Sequence, residues 1–425
     1  MASGNKLTVY ILIALLLGAL TGLVINGSVA DPGATVPWFS MVTTIFLRLI
    51  KMIIAPLVFA TLVVGIAKMG DVGTVGRVGI KALVWFVGAS LMSLLLGLVL
   101  VNLFQPGAHI GIELPGAEAQ TDIVATGMSL QDFISHLVPS SIVDGMARNE
   151  ILQIVVFAVF FGVGCAGVGE KAKVLVDALE GLSYVMLRMT LLVMWFAPFA
   201  VFAAVAAAIA KSGAEVFLVY GRFMAEFYLC IVLLWCLLFM AAWAVIGRRA
   251  VALFKAVREP TLLAFATASS EAAYPKTLAM LEKFGCSNRV ASFVLPLGYS
   301  FNLDGSMMYC TFAVMFIAQA YGIDLSAGQQ LTMLLILMVT SKGMAGVPRA
   351  SLVVIAATLS QFNIPEAGLL LLLAVDHFLD MARSATNVIG NSVATAVVSH
   401  WDGQLRSEAE VNAELLHAVG EDQPA

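Results

Sequence analysis

The chain has 425 residues, of which 60% are hydrophobic and 12% are charged, and its formal net charge is -4 at pH 7. Soluble domains carry about twice that charged fraction, so the composition excludes a soluble globular fold and requires much of the surface to face lipid. The small negative net charge argues against a nucleic-acid partner.

The apolar stretches predict membrane-spanning helices, because about 20 mostly apolar residues cross a bilayer. In chain order these spans lie near 7–26, 38–67, 79–104, 149–168, 180–210, 222–247, 291–321 and 368–398. Several exceed the minimum length, which indicates tilted or broken helices. Two further apolar stretches, 258–290 and 330–365, are rich in Gly, Ser and Pro, so we expect interrupted segments there rather than full spans.

Basic residues predict the orientation of the chain. Lys6 precedes the first span, and Arg77 and Lys81 follow the second. The linkers 27–37 and 105–131 contain no Lys or Arg. The positive-inside rule therefore places the N-terminus in the cytoplasm and both linkers outside.

Ionisable residues are concentrated in the C-terminal part of the chain, where they lie in apolar context. They are Glu271, Asp304, Lys342, Arg349, Asp376, Asp380 and Arg383. One charge at the membrane centre costs about 2.5–3.5 kcal/mol on insertion scales. Such groups persist only if they pair with each other, with water or with a ligand, so they form either structural ion pairs or a binding site.

The polar groups recur in two matching halves. TASSEAAYP (267–275) is followed by NLDGS (302–306), and SKGMAGVPRAS (341–351) is followed by DHFLDMARSATNVIGN (376–391). Interrupted segments at corresponding positions of two halves point to a binding site at the bilayer midplane. Irregular backbone is tolerated at that depth only where protein or water satisfies it, and helix N-termini there offer N–H groups to an anion.

The last motif places four polar residues on one helical face. Asp376, Asp380, Arg383 and Asn387 are separated by four, three and four residues. A guanidinium on this face suits bidentate capture of a carboxylate. A carboxylate one turn earlier suits an ammonium group, or it neutralises the arginine when the site is empty.

The other polar residues also have purely structural interpretations. Ser269 and Ser270 could cap a helix. Asn302, Asp304 and Gly305 could form a kink whose side chains satisfy freed carbonyls. A carboxylate beside unwound carbonyls is, however, also what a bound cation requires.

With these residues the chain resembles the dicarboxylate/amino acid:cation symporter family, which contains the glutamate transporters and their bacterial relatives. The resemblance covers nearly the whole chain and adds FLRLIKMIIAPLVFATLVVGI (46–66), NEILQIVVFAVFFG (149–162) and FAPFAVFA (196–203) to the four polar motifs. Bacterial proton–glutamate symporters look nearest, through TASSE, GYSFNLDGS and DMARS. The resemblance implies a secondary transporter rather than an enzyme.

The resemblance further implies an all-α integral membrane protein with eight transmembrane helices, two re-entrant helical hairpins and inverted repeats. It would form a homotrimer in the bacterial inner membrane, surrounded by lipid, with both termini cytoplasmic. Residues 1–70 (helices 1 and 2) and 111–215 (helices 4 and 5) would form the scaffold. Residues 71–110 (helix 3) and 216–400 (helices 6–8 and both hairpins) would form a transport domain that moves like an elevator, and 401–425 would be a cytoplasmic tail.

Position by position, the resemblance implies roles at a site for a small anionic substrate. Arg383 would bind the distal carboxylate and Asp380 the amino group. The remaining substrate contacts would come from Asn387, Ser384, Ser306 and the backbone at Ser269, Ser270 and Val347. The second hairpin would be the extracellular gate, with Ser341, Gly343, Gly346, Pro348 and Arg349. Arg349 departs from the family pattern, in which glycine is usual.

The resemblance also bears on the coupling ion. The candidate coupling residues are Asp304, Asn302, Glu271 and Asn391, and a sodium site would use Asn302, Asp304, Asn387 and Asn391. Sodium-coupled members have an aspartate in place of Asn391 and hydroxyl residues in place of Phe86 and Ala89. Because lost oxygen ligands weaken a sodium site, we expect coupling to protons and no cofactor. The candidate proton carriers are Glu271, Asp304 and Asp380.

Glutamate or aspartate is the expected substrate, because the position of Asp380 is not acidic in the four-carbon dicarboxylate carriers. Those dicarboxylates are the alternative substrate. Two other functional classes remain. An intramembrane aspartyl protease could use Asp304 with Asp376 or Asp380, although Arg383 on the same face favours two ionised carboxylates over a shared proton. A channel is the third interpretation.

Overall fold

The computed structural model describes residues 2–29, 31–69, 72–109, 114, 138–213, 220–341, 350–373, 375–407 and 410. These residues form α-helices joined by short 3-10 turns and loops. Within this part of the chain, the only strand-like contact is one antiparallel bridge between Cys286 and Leu405. The predicted all-α class is therefore confirmed for the described residues.

The helices in chain order are α1 (Ala2–Ser28), α2 (Val36–Met69), α3 (Val72–Phe104), α4 (Ile142–Arg148), α5 (Ile151–Val168), α6 (Lys173–Val193), α7 (Ala197–Ser212), α8 (Gly221–Ile246), α9 (Arg249–Thr267), α10 (Ser270–Phe284), α11 (Asn288–Phe301), α12 (Asp304–Ala320), α13 (Ala327–Thr340), α14 (Ala350–Gln361), α15 (Leu369–Leu373) and α16 (Asp376–Trp401).

Six helical stretches of the described chain are long and apolar enough to cross a membrane. They are Val9–Ser28, Pro32–Ala67, Gly73–Ala108, Ile151–Lys211, Gly221–Ile246 and Asn288–Ala320. Ile151–Lys211 has 61 residues and contains α5, α6 and α7, so it covers two of the predicted spans. The last predicted span, 368–398, is largely helical, but it carries Asp376, Asp380 and Arg383 and is not among the six.

Most helices of the first half pack on one another, whereas α3 contacts α2 but lies mainly against helices of the second half. Helix α1 lies against α7, and α2 lies against α5, α6 and α7. The contact between α1 and α7 is close because of glycine: a Cβ at Gly18 would lie 2.6 Å from the carbonyl oxygen of Phe202. Small residues that let two helix backbones approach are typical of packing in membranes.

Helix α16 is the centre of the second half. It contacts α3, α8, α9, α10, α11 and α12, and every residue from Met381 to Ser399 is buried. Protein therefore surrounds the polar residues of this stretch, which explains how a helix of low hydropathy can lie among apolar ones.

Of the two stretches predicted to be interrupted, 258–290 is described throughout and is interrupted, whereas 330–365 is described only on either side of residues 342–349. The stretch 258–290 divides into the hairpin arms α9 and α10, which turn at Ala268 in a left-handed conformation with φ of 49°. Asn302 and Leu303 separate α11 from α12. The two breaks bring helix ends to the side of α16, where the polar motifs meet.

Candidate functional site

The guanidinium of Arg383 is buried on α16 and binds Asp380, one turn earlier. Its Nε and Nη2 lie 2.9 and 2.7 Å from Oδ1 of Asp380, and Ser384 Oγ donates to the same oxygen at 3.2 Å. Arg383 is only 4% exposed. Its remaining nitrogen, Nη1, is also buried and has no acceptor among the described residues. The predicted polar face is present, and it keeps one strong N–H donor group available.

Tyr309 on α12 completes the surroundings of this guanidinium. The centre of its ring lies 4.7 Å from Cζ of Arg383, and its hydroxyl donates to Oδ1 of Asp376 at 3.1 Å. A cation over an aromatic face is stabilised by the ring quadrupole. The sequence pattern did not single out Tyr309, although it lies one helical turn after Ser306 in the same polar segment.

Asn387 connects α16 to the start of α12. Its Oδ1 accepts hydrogen bonds from the backbone N–H groups of Gly305 and Ser306, at 2.9 and 3.4 Å. Its Nδ2 donates to Ser306 Oγ at 3.1 Å. A Cβ at Gly305 would lie 2.4 Å from the carbonyl oxygen of Arg383, so only glycine allows this approach. Asn387 therefore satisfies N–H groups that the helix start leaves without partners.

A second buried polar cluster lies where α3, the break before α12 and α16 meet. Asn302 Nδ2 donates to Oδ2 of Asp304 at 3.2 Å and to Oδ1 of Asn391 at 3.3 Å. Ser93 Oγ on α3 lies 3.3 Å from Oδ1 of Asp304 and 2.9 Å from the carbonyl oxygen of Ala89, so its one proton is divided between two acceptors. Oδ1 of Asn302 and Nδ2 of Asn391 are buried and make no hydrogen bond within the described chain. Such unused polar atoms are expected at a site built for a further ligand.

Helix α3 supplies oxygen atoms from positions that the sequence analysis did not single out. Phe86 and Ala89, the two positions singled out in the sequence, are buried and apolar. The oxygen atoms come from two serines further along: Ser90 Oγ donates to the carbonyl of Phe301 at 3.4 Å, and Ser93 binds Asp304. Serines inside an apolar span often bond their own helix, so spacing alone did not distinguish them.

The first hairpin places its polar motif at the turn between α9 and α10. Ser269 is the N-cap of α10 and accepts a hydrogen bond from the N–H of Ala272 at 3.3 Å, which confirms the helix-capping interpretation for this residue. Ser270 and Glu271 lie in the first turn of α10, and Lys51 of α2 acts electrostatically on Glu271. No hydrogen bond of the described residues links these three to Arg383, although both hairpin arms pack on α16.

Only the first residue of the predicted gate is described. Ser341 is buried, and its hydroxyl donates to the carbonyl of Met338 at 3.3 Å. The other predicted positions of this segment lie outside the described residues: Gly343, Gly346, Val347, Pro348 and Arg349. Their roles stay predictions.

The known proteins that are similar to this chain are named as symport or transport proteins. The model of the family described as the sodium:dicarboxylate symporter family matches residues 7–401. The proton/sodium-glutamate symport protein of Bacillus caldotenax is 38% identical over 403 residues, which are 94% of this chain and 95% of that protein. The C4-dicarboxylate transport protein of Geobacter sp. (strain M21) is 40% identical over 385 residues, 88% of each chain. The C4-dicarboxylate transport protein of Bacillus subtilis (strain 168) is 36% identical over 416 residues, 96% of each.

Proposed function

The chain belongs to the sodium:dicarboxylate symporter family, and from that premise we propose that it imports glutamate or aspartate together with protons. It is a transporter and not an enzyme, so the aspartyl-protease alternative is wrong. Its family and its apolar helices make it a multi-pass membrane protein. The substrate, the coupling ion, the assembly and the mode of motion are the proposal.

The observation that carries the substrate proposal is the buried pair of Arg383 and Asp380. Nη1 of Arg383 has no acceptor among the described residues, which suits a substrate carboxylate. Asp380 is beside it, with a side chain that is 22% exposed, which suits the ammonium group of an amino acid. A substrate with two carboxylates and no ammonium would instead place a second negative charge near Asp380.

The second candidate is a four-carbon dicarboxylate such as succinate, fumarate or malate. It is favoured by relatives named C4-dicarboxylate transport protein, one of them 40% identical to this chain. In that case Asp380 would serve only to neutralise Arg383 in the empty site.

Proton coupling is supported by the cluster around Asp304. Asn391 contributes an uncharged amide to this cluster, and the side chains of Phe86 and Ala89 contain no oxygen atom. A sodium ion prefers several oxygen ligands with negative charge among them. Sodium is the alternative coupling ion, because Ser93 and Asn302 add oxygen atoms beside the one carboxylate.

The contacts between helices support the proposed elevator architecture. In the described chain, one group of helices packs together as a scaffold would: α1, α2, α5, α6 and α7. A second group packs around α16 and consists of α3 and α8–α12. The two groups meet mainly where α2 lies against α10 and α11, and α9 also lies against α1 and α7. The eight spans, the two hairpins, the homotrimer and a bacterial inner membrane with cytoplasmic termini belong to the same proposal.

Uptake into proteoliposomes tests substrate and coupling together. Labelled glutamate and labelled succinate are each offered with an inward proton gradient, an inward sodium gradient, or neither. We expect saturable, concentrative glutamate uptake that follows the proton gradient. Succinate accumulation without glutamate uptake would establish the second candidate, and a current that does not saturate with substrate would indicate a channel.

A further inference from the structure

A basic cleft lies at the end of α16, away from the site described above. Its volume is about 680 Å³, and it is lined by Arg249, Ser287, His400, Arg406 and Glu410, together with backbone of the segment that follows α16. Asp402 in that segment binds Arg77 and Lys81. The cleft is therefore on the face that the proposed orientation places in the cytoplasm.

The cleft is built by an unusual return of the chain. After α16, Leu405 pairs with Cys286 in the turn between α10 and α11. Ser287 N–H donates to the carbonyl of Gln404 at 3.2 Å, and Arg406 N–H donates to the carbonyl of Gly285 at 2.9 Å. The cleft walls thus come from the start of α9, the base of the first hairpin and the end of α16.

Two guanidinium groups of the cleft are held in place by uncharged carbonyls. Arg249 Nη2 donates to the carbonyl of Phe284 at 3.0 Å and stacks 4.9 Å from the centre of its ring. Arg406 Nη2 donates to the carbonyl of Glu282 at 3.0 Å. Backbone carbonyls orient these guanidiniums, and the cleft lining holds the two guanidinium groups together with one carboxylate, Glu410.

Unused donors point to a missing ligand. Nε of Arg249 and Oγ of Ser287 are both buried and have no hydrogen-bond partner within the described residues. Ser287 is the N-cap residue of α11, but its side chain makes no cap bond. The 14-residue helix α11 therefore presents its positive end at the cleft with its capping hydroxyl unused.

The cleft lining also contains one carboxylate. Glu410 lines the cleft, and its Oε2 accepts hydrogen bonds from the N–H and hydroxyl of Ser407 at 2.6 and 2.8 Å. These bonds, and then the charges of Arg406 and Arg249, hold the pKa of Glu410 below its usual value. Glu282, behind Arg406, is the other nearby acid, and Asn288 occupies one of its oxygens.

We propose that this cleft binds a phosphate-type oxyanion, supplied either as free phosphate or as the headgroup of an anionic lipid. Two guanidiniums, a serine hydroxyl and a helix N-terminus match the several acceptor oxygens and the negative charge of a phosphate group. The volume exceeds the need of one phosphate ion, so a phosphate that is part of a larger headgroup also fits. Binding would tie the base of the first hairpin to the end of α16.

The first test is thermal unfolding of the full-length protein in phosphatidylcholine nanodiscs. Inorganic phosphate is titrated against chloride at constant ionic strength. We expect a saturable rise in the unfolding temperature that persists in saturating glutamate or succinate, because the cleft is separate from Arg383. This readout needs no transport, so its failure is distinguishable from failure of the proposed function.

Variants assign the effect to the cleft. Arg249→Gln and Arg406→Gln should each raise the half-saturating phosphate concentration about tenfold, since each removes a charged donor. Arg248→Gln is the matched control, because Arg248 is an exposed neighbour outside the cleft lining. Glu410→Gln should strengthen phosphate binding several-fold by removing the competing carboxylate. A gain of affinity cannot arise from misfolding, so it supports the cleft independently.

A lipid arm identifies the source of the phosphate. Nanodiscs with phosphatidylglycerol are compared with pure phosphatidylcholine for each variant. If the ligand is a lipid headgroup, phosphatidylglycerol alone should raise the unfolding temperature, Arg249→Gln should abolish that rise, and free phosphate should add little. If neither source stabilises the protein, or if the three cleft variants all respond like the unchanged protein, the proposal is overturned.

Discussion

Two nitrogens of Arg383 bind a single oxygen of Asp380, at 2.9 and 2.7 Å, within one turn of a buried helix. Replacing Asp380 by Asn removes the charge that balances this guanidinium and the proposed partner of a substrate ammonium group. We expect glutamate uptake to fall about ten- to hundredfold, the range for loss of a charged hydrogen bond, with a smaller effect on succinate. Uptake of labelled glutamate and of labelled succinate into proteoliposomes measures the two effects.

The control for this experiment is Asp324→Asn, since Asp324 is an exposed acid between α12 and α13. It should leave uptake unchanged. Equal loss of glutamate and succinate uptake in the Asp380 variant would show that the carboxylate acts only on the arginine.

Tyr309 is predicted to have two separable effects. Tyr309→Phe removes the hydrogen bond to Asp376 but keeps the ring under Arg383, so it should cost about 1 kcal/mol of folding stability and change substrate affinity little. Tyr309→Leu also removes the cation–π contact, worth about 1–2 kcal/mol in a dry site, and should weaken substrate binding. Thermal unfolding and substrate titration separate the two, and equal affinities in both variants would argue against a role for the ring.

The sequence predicts the main features of this site because its signals are local. Charges in apolar spans, and the spacing of Asp380, Arg383 and Asn387 along one helix, depend only on periodicity. The Gly, Ser and Pro residues of 258–290 likewise predict the break at the first hairpin, and Asn302, Asp304 and Gly305 indicate a possible kink before α12. Each of these expectations rests on neighbours within a few residues of one another.

The missed residues come from distant parts of the chain. Ser93 reaches Asp304 across 211 positions, and Tyr309 reaches Asp376 across 67. A serine in an apolar helix and an aromatic residue among apolar ones look ordinary in sequence. Their partners are fixed by how α3 and α12 pack against the break and α16, which periodicity does not encode.

Asn391 should determine which ion drives transport. Asn391→Asp places a carboxylate 3.3 Å from Nδ2 of Asn302, beside Asp304. Two carboxylates with the Asn302 and Ser93 oxygens form a better sodium site than one. We therefore expect uptake by this variant to gain dependence on sodium. Asn391→Ala, which removes the amide without adding charge, is the control, and sodium-independent uptake by the aspartate variant would refute the prediction.

Asp402 should make the junction of α3 and α16 sensitive to acid. Burial opposes ionisation of Asp402, but hydrogen bonds and charge from Arg77 and Lys81, both at 2.8 Å, outweigh it and lower its pKa. A lowered pKa in the folded state stabilises the protein above the unfolded value, about 3.9, and that stabilisation is lost as the pH falls through the folded value. Asp402→Asn should cost roughly 1 kcal/mol at pH 7, because Arg77 is half-exposed and screened.

The measurement is thermal unfolding from pH 7 down to pH 3. The difference between the unchanged protein and Asp402→Asn should be constant near neutrality and shrink below about pH 4. Arg77→Gln and Lys81→Gln should each lose part of the stability that Asp402→Asn loses at neutral pH. A difference that does not shrink in acid would mean that the carboxylate charge is not what stabilises the junction.

The two arms of the first hairpin are joined by an ion pair that the sequence motifs do not include. Lys276 Nζ on α10 lies 2.7 Å from Glu259 Oε2 on α9, and the side chains are 16% and 17% exposed. Glu259→Gln leaves an ammonium group largely buried without its counter-charge, so it should cost about 1–3 kcal/mol. Glu259→Leu with Lys276→Met should recover most of that loss, because two apolar side chains need no charge partner.

Thermal unfolding of the single and double variants tests this, and the exposed pair of Arg148 and Asp144 is the matched control. Their side chains are 70% and 54% exposed, so Asp144→Asn should change stability by under about 0.5 kcal/mol. If Glu259→Gln is equally mild, water must reach the hairpin and screen the pair. If the double apolar variant is less stable than Glu259→Gln, the ion pair itself holds the two arms together. Loosening the pair should then also slow substrate uptake.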